Sequence, residues 1–111
     1  MAEIGYNIFV EAAHSVPLHG HNFKIEIVLE APYDPKTGWI SGINVNDFMS
    51  SVENVRKELD HKNLNDILNP ASMENIAIYF IKKLKNKFSI KFVKVYENEN
   101  RYSVIYSNEI K

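Results

Sequence analysis

The spacing of apolar residues changes period twice along this chain, and that change limits the folds open to it. Tyr6, Ile8, Val10 and Ala12 recur at every second position, the mark of a half-buried strand. Phe23, Ile25, Ile27 and Leu29 do the same, with Lys24, Glu26 and Glu30 on the opposite face. Ser15-Val16-Pro17-Leu18 between the two stretches is short enough for a hairpin loop, and the turn formers from Ala31 to Gly38 end the second strand. Phe48, Val52, Val55 and Leu59 then fall at i, i+4, i+7 and i+11, a helical stripe that opens near the capping candidates Asn44 and Asn46. A second helix follows Pro70, with Ser72 as its cap and Ile76, Ala77, Phe80, Ile81 and Leu84 on its apolar face. Ser89–Glu97 and Tyr102–Ser107 alternate again, joined through Asn98-Glu99-Asn100-Arg101 as a hairpin. The predicted order is β-β-α-α-β-β. Hairpins at both ends and helices between them favour an α+β fold, a four-stranded antiparallel sheet with two helices on one face. Such a sheet has two open edges, which oligomerisation would cover.

Composition removes several classes of function. The 111 residues suffice for one domain, 1–111. Thirteen basic against fourteen acidic residues leave a formal charge of -1, so no basic excess tracks a phosphate backbone and nucleic acid is not an expected partner. The longest apolar run, Ile76–Ile81, is far short of a membrane span. The acidic residue Glu3 in a start without cations does not read as a signal peptide. Cysteine is absent, which removes disulfides, thiolate metal sites and a cysteine nucleophile, and favours a cytoplasmic address. The chemistry has to come from histidines, carboxylates and hydroxyls.

Four histidines are present, His14, His19, His21 and His61. His14 continues the even face of the first strand. His19 and His21, at i and i+2, continue the apolar odd face of the second. If the strands pair through the Ser15–Leu18 loop, His14 comes opposite His19, with Cβ atoms roughly 4.5–5.5 Å apart. A single histidine is usually a satisfied polar residue at a strand end. Three on one face are harder to explain that way, because unliganded imidazoles repel one another once protonated. Three nitrogens without a fourth protein ligand are the pattern of a catalytic zinc, which keeps one position open.

The carboxylates leave alternatives open. Asp60 directly precedes His61, and such a pair can orient an imidazole for proton transfer or serve only as a cap. Glu97 continues the Val93–Val95 face, where it either ends the strand in solvent or meets a partner with N–H donors. Glu74 in the first turn of the second helix is explained by the helix dipole alone, and Lys82, Lys83, Lys85 and Lys87 suit the dipole at its other end, a phosphate patch being the minority reading.

Six short segments, taken together and in this order, carry a resemblance. They are Phe9 with Ala12-Ala13-His14, His19-Gly20-His21-Asn22-Phe23, Asn46-Asp47-Phe48, Leu59-Asp60-His61-Lys62-Asn63-Leu64, Glu74-Asn75-Ile76-Ala77 and Lys94-Val95-Tyr96-Glu97. The chain resembles the 6-pyruvoyltetrahydropterin synthase family, which includes the 6-carboxytetrahydropterin synthases of queuosine biosynthesis. The resemblance spans about Phe9 to Tyr106. It implies the tunnelling fold, trimers stacked into a homohexamer, and active sites formed between subunits. It also implies a pterin substrate, with zinc on His14, His19 and His21 and with Asp60 and His61 as the acid/base pair. Glu97 would hold the amino-pyrimidine edge of the pterin, and Ser72, Met73 and Glu74 would match the pterin-contacting segment.

One departure bears on the reaction. Family members carry a cysteine base between the first zinc histidine and the His-Gly-His, whereas here only Ser15-Val16-Pro17-Leu18 stands there. Some members use glutamate instead and cleave the side chain of dihydroneopterin compounds, but the loop holds no glutamate and Glu11 precedes it. The expected function is a zinc-dependent pterin side-chain lyase or synthase acting on dihydroneopterin triphosphate or a related dihydropterin. The alternatives are a dihydroneopterin-cleaving variant, or a relative that binds zinc and pterin without efficient turnover.

Overall fold

A computed structural model of the chain describes residues 1–14 and 18–111. The Ser15–Leu18 loop thus lies, apart from Leu18, outside the described residues. Strand β1 (Ala2–His14) pairs antiparallel with β2 (His19–Ala31), in unbroken register from Ala2 opposite Ala31 to His14 opposite His19. Both strands outrun their apolar stretches, because backbone pairing continues wherever a partner N–H and C=O are available. Helix α1 (Val45–Leu59) and helix α2 (Met73–Leu84) follow, and then β3 (Ile90–Asn98) and β4 (Arg101–Tyr106). The sheet order is β1-β2-β3-β4, every pair antiparallel.

The helix starts are chemical. The Asn44 side-chain oxygen accepts from the Asp47 N–H at 3.1 Å, so of the two capping candidates Asn44 is the cap and Asn46 lies within α1. Ser72 Oγ accepts from the Asn75 N–H at 3.1 Å and fixes the first turn of α2 at the end of the sheet that carries the histidines. At the other end of α2 the lysines are spent on neighbours. Lys83 pairs with Glu58 at 3.2 Å, and Lys87 with Asp47 at 3.0 Å, as a solvated, dipole-matched helix end would.

The core lies between the helices and one face of the sheet. Phe23, Ile25, Ile27 and Leu29 of β2 meet Ile8 and Val10 of β1, Val93 and Val95 of β3, and the predicted stripes of both helices, all buried. Truncating a residue such as the fully buried Phe80 costs about 3–5 kcal/mol. The opposite face carries charged and aromatic residues, with Lys94 Nζ 4.0 Å from the centre of the Tyr102 ring and 4.8 Å from that of Tyr96.

The outer edge of β1 is partly covered by the chain that leaves α1. His61 N–H donates to the Glu11 carbonyl at 2.6 Å, Ala13 N–H donates to the Lys62 carbonyl at 3.0 Å, and Glu11 N–H donates to Asp60 Oδ1 at 2.9 Å. Among the described residues, no helix is long and apolar enough to cross a membrane.

Candidate metal centre

The register that sets His14 opposite His19 also sets Ala12 opposite His21. The three imidazoles therefore share the core-side face at one end of the hairpin. Their ring centres lie 4.6–4.8 Å apart. Phe23, also on that face, closes the floor, 5.2 Å from His14 and from His21.

Glu97 completes the group. One ligand atom each from His14, His19, His21 and Glu97 lies within 4.8 Å of the others, an arrangement that could hold a metal ion. His14 Nδ1 is 2.8 Å from the Ala71 carbonyl oxygen. A carbonyl only accepts, so Nδ1 carries the proton and Nε2 presents a lone pair, the tautomer a metal requires. His21 Nε2 is buried and makes no hydrogen bond, although Glu97 Oε1 is 3.1 Å away. The separation is that of an ion pair, but the alignment of an N–H is missing. Burial holds the His21 imidazole below the ordinary histidine value. Glu97 pulls it back up, and His14 and His19 push it further down. A half-buried imidazole whose buried Nε2 faces a carboxylate without an aligned N–H is a donor pair that a cation between them would satisfy. The edge of a ligand tetrahedron around zinc is about 3.3 Å; the His21–Glu97 spacing is close to it, and the four donors together could hold such an ion.

The cluster opens on a cavity of about 250 Å³. His14 and His19 line it from the hairpin, Ser72, Met73 and Glu74 from the start of α2, and Glu97 from β3. Residues chosen from separate stretches of sequence thus meet in one place. Arg101, which the sequence did not single out, also lines the cavity, with Nη1 3.4 Å from Glu97 Oε2. Ser103 Oγ of β4 donates to Glu74. The i, i+4 spacing of Glu97 and Arg101 across a hairpin turn was the available signal for the arginine; nothing local marked Ser103.

Asp60 and His61 lie elsewhere in the chain. His61 lines a second depression of about 430 Å³, together with His21, Glu11 and Asn22. It adopts φ +59 just after α1, a conformation few non-glycine residues take. Its Nδ1 is 3.0 Å from Asp60 Oδ2 and its Nε2 is 3.3 Å from Glu11 Oε2, so two carboxylates bracket the ring. Burial works to raise the Asp60 carboxyl, but the Glu11 N–H, His61 and Arg56 outweigh it and hold Asp60 below the usual carboxylate value. Glu11, like Arg101 and Ser103, is a partner that the sequence pattern missed. Its contacts with Asp60 and His61 cross 49 or more residues of chain.

A meandering antiparallel sheet with both helices on one face and a three-histidine cluster at its end defines a T-fold protein with a candidate metal centre. The solved structure of Caenorhabditis elegans 6-pyruvoyl tetrahydropterin synthase has this fold, with a TM-score of 0.81 over 95% of this chain and 94% of that one, at 19% identity. Residues 5–108 match the family described as 6-pyruvoyl tetrahydropterin synthase, and the chain belongs to that family of pterin-processing enzymes. It is similar to the Pyrococcus furiosus dihydroneopterin monophosphate aldolase, 37% identical over 93 residues, which are 76% of this chain and 75% of the relative. It is similar also to the human 6-pyruvoyl tetrahydrobiopterin synthase, 32% identical over 102 residues, 82% of this chain and 67% of the relative.

Proposed function

We propose that this protein is a zinc-dependent lyase that cleaves the side chain of a dihydroneopterin phosphate. The observation that carries the reading is the cavity that gathers His14, His19, Ser72, Met73, Glu74 and Glu97 around one donor cluster. His14, His19 and His21 would hold the zinc. Zinc held there would supply a Lewis acid to the side-chain oxygens of the pterin and lower their pKa. A carboxylate of the cavity, Glu97 or Glu74, would accept two parallel N–H bonds from the 2-amino-pyrimidinone edge. Ser72, Met73 and Glu74 would bound the ring from the start of α2. Asp60 and His61 would move protons, Asp60 staying ionised and His61 exchanging the proton.

Cleavage between the first two side-chain carbons is favoured over synthase chemistry by two facts. The chain has no cysteine to serve as the synthase base, and the Pyrococcus relative is named an aldolase. Cleavage of that carbon–carbon bond yields a hydroxymethyl dihydropterin and a two-carbon aldehyde. The second reading, a 6-pyruvoyltetrahydropterin synthase, rests on the human relative's name.

In a single chain His61 lines one depression, beside His21, and the cavity of Ser72, Met73, Glu74 and Glu97 is another. We infer that trimers stacked into a hexamer bring one subunit's pair to another subunit's cavity. Incubating the zinc-loaded protein with dihydroneopterin and with its mono- and triphosphates, followed by mass identification of the pterins, tests the assignment. A hydroxymethyl product supports the lyase. A pyruvoyl or carboxy product replaces it with a synthase, and unchanged substrate in all three leaves a binding protein without turnover.

A further inference from the structure

Arg101 meets the cavity from the turn that joins β3 to β4. Asn98 Oδ1 accepts from the Asn100 N–H at 2.8 Å and from the Arg101 N–H at 3.0 Å, which closes the turn and fixes where the arginine backbone stands. Tyr96 pairs with Tyr102 and Asn98 with Arg101, so Glu97 is the extra residue of a bulge, a device that re-aims one side chain. Glu97 Oε1 is 3.1 Å from His21 Nε2, and its Oε2 is 3.4 Å from Arg101 Nη1. The guanidinium thus stands one carboxylate away from the histidine cluster. Among the described residues that line the cavity, Arg101 is the one lysine or arginine, beside the carboxylates of Glu74 and Glu97. Its side chain is 69% exposed, and among the described residues its ion pair is with Glu97. An exposed pair at that spacing holds an arginine only weakly, and it leaves N–H groups of the guanidinium for another acceptor.

We propose that Arg101 determines specificity for a phosphorylated side chain, gripping the phosphate ester of the dihydropterin through paired N–H bonds. The proposal rests on the lyase reading above and narrows its substrate to the phosphate ester. The side chain and its phosphate leave the pterin at the end remote from the pyrimidinone edge. A group that reads the phosphate therefore has to stand at the histidine end of the cavity, where Arg101 stands. A planar guanidinium matches two phosphate oxygens at once. It has five N–H donors, so one can stay with Glu97 while others hold the ester. Glu74 and Glu97 by themselves would repel a phosphate, and the fixed charge of Arg101 offsets that repulsion.

Fluorescence titration of the zinc-loaded full chain with dihydroneopterin and with its monophosphate tests this, and the quantity read is the ratio of the two dissociation constants. Wild type should bind the monophosphate at least ~10-fold more tightly than the free compound. In Arg101→Ala that preference should shrink to about twofold or less. Loss of the Arg101–Glu97 pair acts on both compounds alike, so it does not enter a ratio taken within one variant. Arg101→Gln repeats the measurement should the alanine variant not fold. A preference in the variant equal to that of wild type overturns the proposal, and so does a wild type that binds both compounds equally. Either result leaves the lyase reading standing, since the pterin is still bound. If wild type binds neither compound, the lyase reading falls and the role of Arg101 falls with it.

Discussion

His14 donates from Nδ1 to the carbonyl oxygen of Ala71 at 2.8 Å, and that bond ties the first histidine of β1 to the chain that enters α2. It fixes the ring's tautomer and orientation before any metal arrives. Preorganisation of this kind is what outer partners of metal-binding histidines provide, and losing them commonly costs 10–100-fold in affinity. Protein purified without added metal should therefore carry about one zinc per chain. Metal analysis of His21→Ala should show the zinc lost, and His61→Ala should keep it, since His61 lies outside the donor cluster. Wild-type content below about a third of an equivalent, unimproved by added zinc, would count against a three-histidine site.

Much of this arrangement was legible in the sequence for physical reasons. Half-buried strands write their faces at period two, so His14, His19 and His21 could be placed on the core side from Ile8, Val10, Phe23 and Ile25 alone. Helix caps are local chemistry, so Asn44 and Ser72 could be named. The bulge at Glu97 could not be seen, because Val93, Val95 and Glu97 alternate as a regular strand does and a bulge is a property of the pairing. The Asp60–His61 pair could be named, but Glu11 on the other side of the ring could not, because its contacts join β1 to the end of α1 across 49 or more residues of chain.

Tyr79 of α2 donates its hydroxyl to Glu58 of α1, a link between the two helices. Burial and that bond push the phenol up to about 12 from an ordinary 10. A raised phenol pKa means that the folded chain holds its proton where the unfolded chain has lost it. The stabilisation is complete below pH 10 and declines as pH rises from 10 toward 12. Denaturation of Tyr79→Phe beside wild type should show wild type more stable at pH 8, with the gap narrowing above pH 10. A gap that stays constant to pH 12 would remove the titration from the account.

β1 and β4 are the sheet's edges, and the cover from Asp60 to Asn63 reaches only the last residues of β1. An uncovered edge presents unpaired N–H and C=O groups to which another chain can pair. Light scattering at micromolar concentration should give a mass that is a multiple of three chains, six in the proposed assembly. A monomer would leave His61 in a depression separate from the cavity lined by Glu74 and Glu97, and the assignment of proton transfer to the Asp60–His61 pair would fall.

The last prediction separates recognition from chemistry. In Glu97→Gln one of the two carboxylate acceptors becomes an N–H₂ donor, which meets the pterin's own N–H as a clash of donors. Charge-assisted hydrogen bonds are worth roughly 1.5–3 kcal/mol each, so fluorescence titration should find dihydroneopterin bound at least ~10-fold more weakly. Zinc content at micromolar protein should stay near one equivalent, because three imidazoles still hold the ion there, and the oligomer should be unchanged. His61→Ala should show the opposite pattern, with binding kept and turnover lost, because its ring lines the depression beyond the cavity. Equal pterin affinity in wild type and Glu97→Gln would return Glu97 to a strand-end carboxylate paired with Arg101. Glu74, at the start of α2, would then be the cavity carboxylate left to recognise the pterin ring.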